Sequence, residues 1–202
     1  MAANSVGIMG GTFNPIHNEH IRLARESKKQ FDLHKVLFIP SGESYFKRNT
    51  GVLDSSVRYE MTCLAVKGDE DFEVSDIEIK REGDSYTWET LKELLDEDPK
   101  STYYLIVGAD TFLSLDKWRD PQYIFDSCVV CVAKRDDTGD NEIKLMTRIY
   151  EGKYDATVRV IEGDPVKLSS SMIRDMASKG EDITPYVAPS VNEYIIRNRL
   201  YR

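Results

Sequence analysis

Residues 7–20 read GIMGGTFNPIHNEH, and the way this stretch folds sets the pattern for the rest of the chain. The apolar run Val6–Met9 meets two adjacent glycines, Gly10 and Gly11. A segment of helical spacing then runs from His20 to Phe31. There Ile21, Ala24 and Lys28 share one side, while Leu23, Ala24 and Phe31 supply the apolar face. A strand that passes through a glycine turn into a helix is the basic unit of an α/β sheet. The chain has only 3 histidines, yet His17 and His20 both sit just past this turn.

The same unit recurs along the chain. Apolar, β-branched runs occupy Val36–Ile39, Tyr103–Val107, Cys128–Ala133 and Thr157–Ile161. Helical periodicity marks Val57–Val66, Thr87–Leu95, Asn141–Tyr150, Ser170–Ala177 and Ser190–Leu200. Near-continuous apolar strands alternating with helices predict a doubly wound parallel α/β sheet covered on both faces. In FEVSDIEIKREGDSYT, residues 72–87, the alternation slips between Val74 and Ile77, so an irregular strand leading into a loop is expected. With no internal repeat, low-complexity segment or Pro/Ser linker, residues 1–202 read as one domain, of which 165–202 form a helical C-terminal part.

Composition narrows the classes of function. Of 202 residues, 41% are apolar and 31% charged, and the net charge is −8. An acidic balance argues against general affinity for nucleic acid or an anionic membrane. No apolar run approaches the roughly 20 residues of a membrane span, and the N-terminus lacks a signal-peptide core. The expected location is the cytoplasm. Cys128 and Cys131 spell C-x-x-C, a spacing used in redox and zinc sites. Both fall inside a strand, however, where positions three apart point to opposite faces. They are therefore expected to be core residues.

Open parallel sheets bind ligands beyond the carboxyl ends of their strands. After successive strands come GGTFNPIHNEH, PSGESYFKRN, GAD, KR and KLSSSMIR. That rim collects glycine, histidine, lysine, arginine and hydroxyl residues. It suits a phosphate ligand, whose oxygens take backbone N–H groups, helix N-termini and cations. The dinucleotide fingerprint G-x-G-x-x-G is absent, as is a Walker A G-K-[ST], so a redox dinucleotide protein and a P-loop enzyme are both disfavoured.

GGTFNPIH followed by NEH resembles the H-x-G-H signature of the nucleotidylyltransferase superfamily. LSSSMIR, residues 168–174, resembles its second motif, I-S-S-T-x-I-R. FIPSGESYFK, FEVSDIEI, SYTWETL, GADTFLSLDKW and ITPYVAPSVNEYI look like the nicotinate-nucleotide adenylyltransferase family, so the resemblance spans nearly the whole chain. Glu19 departs from the signature, which has glycine at that place.

The resemblance implies a Rossmann-like nucleotidylyltransferase fold that transfers AMP from ATP to nicotinate mononucleotide, giving deamido-NAD and pyrophosphate. It implies phosphate contacts by His17, His20, Lys47 and Arg174. ATP would be held by Gly10, Gly11, Thr12, Phe13, His20, Gly108, Asp110, Ser170, Ser171 and Arg174. The mononucleotide would be held by Asn14, Lys47, Tyr86, Thr87, Trp118 and Arg135. Trp118 would stack on the pyridine ring, a contact worth about 0.5–1.5 kcal/mol beyond burial. Backbone N–H groups of Tyr86 and Thr87 would meet the carboxylate.

The residue types agree with such chemistry. A phosphate nucleophile is already largely ionised at neutral pH, so the attack needs charge neutralisation and in-line positioning rather than a base. His17 and His20, three apart, share a helix face at its dipole-positive end. Gly10 and Gly11 would let the backbone approach the nucleotide. The site is expected to face solvent before ligand binds. No metal-ligand cluster is visible, and Mg²⁺ is expected to arrive with ATP, held by phosphates and water. Alone, the histidines could equally be a metal pair or incidental polar residues, and the serines of 169–171 a helix cap. Lys47 and Arg48 could be solvated loop charges, Asp110 a helix cap and Trp118 core packing. A sister transferase with nicotinamide mononucleotide, phosphopantetheine or a flavin nucleotide as acceptor stays open, as does a non-catalytic nucleotide sensor, which Glu19 favours. Homo-oligomerisation is left open.

Overall fold

A computed structural model describes residues 4–42, 51–134, 140–163 and 168–202. Lys47, Arg48 and Arg135 lie outside the described residues. The strands are β1 (Ser5–Gly11), β2 (Lys35–Pro40), β3 (Phe72–Val74), β4 (Thr102–Gly108), β5 (Cys128–Ala133) and β6 (Val158–Ile161). They form one six-stranded sheet in the order β3-β2-β1-β4-β5-β6, parallel throughout. The expected doubly wound sheet is present.

The long helices are α1 (Asn18–Gln30), α2 (Ser55–Val66), α4 (Thr87–Glu97), α7 (Asp140–Tyr154), α8 (Ser170–Ser178) and α9 (Pro189–Arg197). Helix α1 starts two residues before the periodicity predicts, because His17 is its N-cap and the His17 backbone N–H donates back to His20 Nδ1 at 3.2 Å. Residues 72–87 differ from the expected irregular strand. Pairing stops at Val74, and a single helical turn, α3 (Ile77–Lys80), follows. Three further short pieces fall between β4 and β5: α5 (Ala109–Phe112), a 3₁₀ turn at Leu115–Lys117, and α6 (Pro121–Ser127). Helix α6 begins where Pro121 fits the first helical position and Asp120 accepts from the Tyr123 N–H at 3.3 Å.

Helices on both faces bury two apolar clusters. One includes Leu91, Leu105, Phe112, Val130 and Tyr150, and the other Phe13, Ile16, Phe38, Met61 and Ile173. Cys128 belongs to the first and Cys131 to the second, so strand alternation separates the C-x-x-C pair across the sheet as expected. Gly7, in the central strand, is needed for contact: a Cβ there would meet Leu33, Val36 and Ile106 at 3.0–3.1 Å.

The chain leaves β1 toward β2 on one side and returns to β4 on the other. Their carboxyl ends therefore diverge into a crevice, the place where such sheets bind ligands. Among the described residues no helix is long and apolar enough to cross a membrane.

Candidate active site

A cleft of about 540 Å³ opens at this switch point. Gly10, Gly11, Thr12 and His20 line its β1–α1 side, and Gly108, Thr87 and Trp118 line the side formed by β4 and α4. Seven of the sequence-predicted residues thus share one cavity. The glycines differ in what they do. A Cβ at Gly10 or Gly108 would meet nothing within 4 Å, so the backbone there lies open to a ligand. At Gly11 a Cβ would meet the Phe13 ring at 3.0 Å, so that glycine makes room for protein.

His20 is the cleft's histidine. Its ring stacks on His17 with centroids 3.7 Å apart and meets the edge of Phe13 at 5.0 Å. Because His20 Nδ1 accepts from the His17 backbone N–H, the neutral ring carries its proton on Nε2. Burial, and secondarily the neighbouring His17, hold the His20 pKa well below its usual value. The ring is therefore a neutral N–H donor at pH 7. His17 lies behind it, 5% exposed, with burial lowering its pKa to about 4. This corrects the expectation of a solvent-facing pair. His17 caps α1 and supports His20 within the core. Phe13, 2% exposed, supports the same ring from another side.

The second motif docks onto the first. Ser169 caps α8 by accepting from the Met172 N–H. Ser170 Oγ donates to the Pro15 carbonyl at 2.8 Å, and Arg174 Nη1 donates to the Asn14 carbonyl at 2.8 Å. Arg174 Nη2 also donates to Ser171 Oγ at 3.2 Å. These residues lie beside the cleft rather than in its lining. Asn14 is 2% exposed, and its side chain is taken up by protein. Nδ2 donates to the Gly51 carbonyl, while Oδ1 accepts from the Leu53 N–H and the Tyr201 hydroxyl. Asp110 sits exposed in the first turn of α5. Tyr86 caps α4 and carries the Arg119 guanidinium over its ring at 5.2 Å.

Glu19 does not stand bare beside the site. Arg22 donates to it through Nε at 2.8 Å and Nη2 at 2.5 Å, and reaches Glu26 through Nη1 at 2.5 Å. The charge at the motif position is thus paired on the helix itself, with a guanidinium that Glu26 shares.

Several residues that shape the cleft were not singled out from the sequence. Ser41, Glu78, Ser85, Thr90 and Thr111 also line it. Glu78 Oε1 accepts from Thr90 Oγ at 2.9 Å, which in turn accepts from Arg81. Burial pushes the Glu78 pKa up, against the Thr90 hydrogen bond and Arg81. Arg58 is 2% exposed and donates to the carbonyls of Leu53, Thr12 and Ser41 at 2.7–2.9 Å. A buried guanidinium needs such partners, and here they tie together the turns after β1 and β2. Its signal in the sequence is a plain helical arginine. Among the described residues no group of three or more His, Cys, Asp or Glu could hold a metal ion.

Comparison with known proteins agrees with this geometry. A family model described as cytidylyltransferase-like matches residues 8–176. A probable nicotinate-nucleotide adenylyltransferase of Lachnoclostridium phytofermentans is 34% identical over 196 residues, covering 97% of this chain and 98% of that protein. One from Geotalea uraniireducens is 37% identical over 210 residues, 97% of each chain. The structure of Plasmodium falciparum nicotinic acid mononucleotide adenylyltransferase complexed with NaAD superposes with a TM-score of 0.79 at 18% identity. It covers 98% of this chain and 97% of the other, and it shows the fold. With both motifs meeting at the switch point and near full-length identity of this order, the chain belongs to the nicotinate-nucleotide adenylyltransferase family of cytidylyltransferase-like enzymes.

Proposed function

We propose that the cleft binds ATP and nicotinate mononucleotide together and transfers AMP to the mononucleotide, a step of NAD biosynthesis in the cytoplasm. The observation that carries the reading is His20, a neutral Nε2–H donor in the cleft at the N-terminus of α1. An oxygen of the mononucleotide phosphate attacks the α-phosphorus of ATP and forms the new P–O bond. The bond from the α-phosphorus to the bridging oxygen breaks, and pyrophosphate departs with that electron pair. No proton has to be removed from the nucleophile. What the protein supplies is placement and donors for the charge that develops on the phosphoryl oxygens. His20 offers Nε2–H, Gly10 offers an unshielded backbone, and the α1 dipole adds positive potential.

We assign the pyridine end to the other side of the cleft, where Trp118, packed partly against the core, lines the wall and Thr87 begins α4. Helix N-terminal N–H groups match a carboxylate better than a carboxamide. Lys47 and Arg135 are proposed as additional phosphate cations on the sequence resemblance. Ser170, Ser171 and Arg174 would meet ATP phosphates from α8, and Asp110 the ribose. Mg²⁺ fits this lining as a passenger on ATP. Glu78 is the one carboxylate among the described cleft-lining residues, and a hard cation that keeps its waters and binds phosphate oxygens needs no protein cage. Bound so, it would offset phosphate charge.

Pyrophosphate release from Mg²⁺-ATP with each mononucleotide in turn tests the reading. The acid form should be used at least tenfold better than the amide, about 1.4 kcal/mol of discrimination. Equal use would remove the carboxylate-selectivity argument, and release only with phosphopantetheine or a flavin nucleotide would replace the proposed acceptor.

A further inference from the structure

The turn between β1 and α1 is held from four directions, and one of the holders comes from the far end of the chain. Arg58 takes the Thr12 carbonyl, Arg174 the Asn14 carbonyl and Ser170 the Pro15 carbonyl. The fourth holder is Tyr201, whose hydroxyl donates to Asn14 Oδ1 at 2.9 Å across 187 residues of sequence. Asn14 Oδ1 also receives the Leu53 N–H at 3.4 Å, and Asn14 Nδ2 reaches the Gly51 carbonyl at 3.2 Å. A single side chain therefore joins the turn that leads to His17 and His20, the segment entering α2, and the C-terminus.

The tail reaches this position at a conformational cost. Arg199 and Tyr201 have φ of 52° and 65°, a left-handed backbone that non-glycine residues adopt only where surroundings compensate. Leu200 and Tyr201 pack against the cluster on the α1–α2 face of the sheet. Packing explains why the ring is there. It does not explain a hydroxyl aimed at the one buried amide that ties Thr12–Pro15 to Gly51–Leu53.

We infer that Tyr201 is a positioning residue for adenylyl transfer, acting through Asn14 to fix the turn that carries Thr12 and delivers His20 to the cleft. The inference rests on the proposed reading of the cleft. Asn14, in turn, works as the node of this latch rather than as a ligand contact.

Tyr201→Phe in the full chain removes one oxygen and leaves the ring packing in place. In that variant kcat should fall about tenfold, with KM for ATP and for nicotinate mononucleotide each within twofold of wild type. Exchange of the Leu53 amide with deuterium should be at least fivefold faster. The double variant Tyr201→Phe with Asn14→Ala should be no slower than Asn14→Ala alone, because both remove the same contact. Wild-type kcat with unchanged Leu53 exchange in Tyr201→Phe would overturn the inference. So would a lowered Tm with unchanged kcat, which would make the tyrosine structural only. A wild-type protein that performs no adenylyl transfer would refute the reading of the cleft instead, and Leu53 exchange would still decide whether the latch exists.

Discussion

Glu19 lies in the first turn of α1 and accepts from Arg22 Nε and Nη2. Glycine at position 19 would leave room for ATP, and from the sequence alone a glutamate there should repel triphosphate unless it swings outward or pairs with Arg22, within helical reach at i+3, so that Glu19→Gly would lower the KM for ATP. The bidentate pair with Arg22 removes that reason. Glu19→Gly is now expected to leave the KM for ATP within twofold. It should lower stability by about 1–1.5 kcal/mol, combining about 1 kcal/mol for a helical glycine with a few tenths for a partly exposed i,i+3 pair. A KM for ATP several-fold lower, measured alongside urea melts, would restore the repulsion account. His17 carries the second prediction. Its folded pKa, near 4, lies below the ordinary 6.5, so the unfolded chain binds a proton first as pH falls. The stability this neutral ring contributes is complete above about pH 6.5 and is lost between pH 6.5 and 4. His17→Phe keeps a stacking ring without the titration, so its urea midpoint should fall less steeply over that window. An identical slope would mean that His17 titrates alike in the folded and unfolded chain. Because the side chain is core, His17→Ala should cost stability as well as activity.

Strand β5 is the element whose reading the sequence supports most directly. Alternation places Cys128 and Cys131 in clusters on opposite faces of the sheet, and burial pushes both thiols up to about 12. Cys63 in α2 is only half-buried. A maleimide at pH 8 should therefore label Cys63 alone in the native protein and all three cysteines in denaturant. Native labelling of Cys131, read by peptide mass, would mean that the sheet opens locally. The long elements were readable for the same physical reason: strands buried on both faces become apolar runs, and helices of about nine residues or more display their period. The pieces between Val107 and Cys128 are too short for periodicity to register, and α6 is marked only by its Asp120–Pro121 start. Local motif residues such as Gly10, His20 and Thr87 could be found by pattern. Arg58, Glu78 and Tyr201 could not, since what defines them is a partner 46, 12 and 187 residues away.

At the scale of the whole molecule, an acidic chain of net charge −8 must bind a polyanion through local geometry. The sheet order provides it by bringing the end of β1 beside the end of β4. Helix α8, about 155 residues downstream of Pro15, closes the same corner through Ser170 and Arg174. A ligand that bridges these pieces binds the folded chain and not the unfolded one, so it must stabilise the fold by mass action. At 100 times its Kd, a non-hydrolysable ATP analogue should add about 2.7 kcal/mol. For a chain of this size that is a rise in Tm of roughly 5–10 °C. Arg174→Ala should weaken the Kd measured by calorimetry and shrink the shift at a fixed ligand concentration, because it loosens the turn at Asn14 and removes a cation from the rim. Phosphate contacts also make the affinity fall with salt, unlike stacking on Trp118. If the analogue binds by calorimetry yet Arg174→Ala leaves its affinity and the Tm shift unchanged, the nucleotide does not depend on the corner where the two motifs meet.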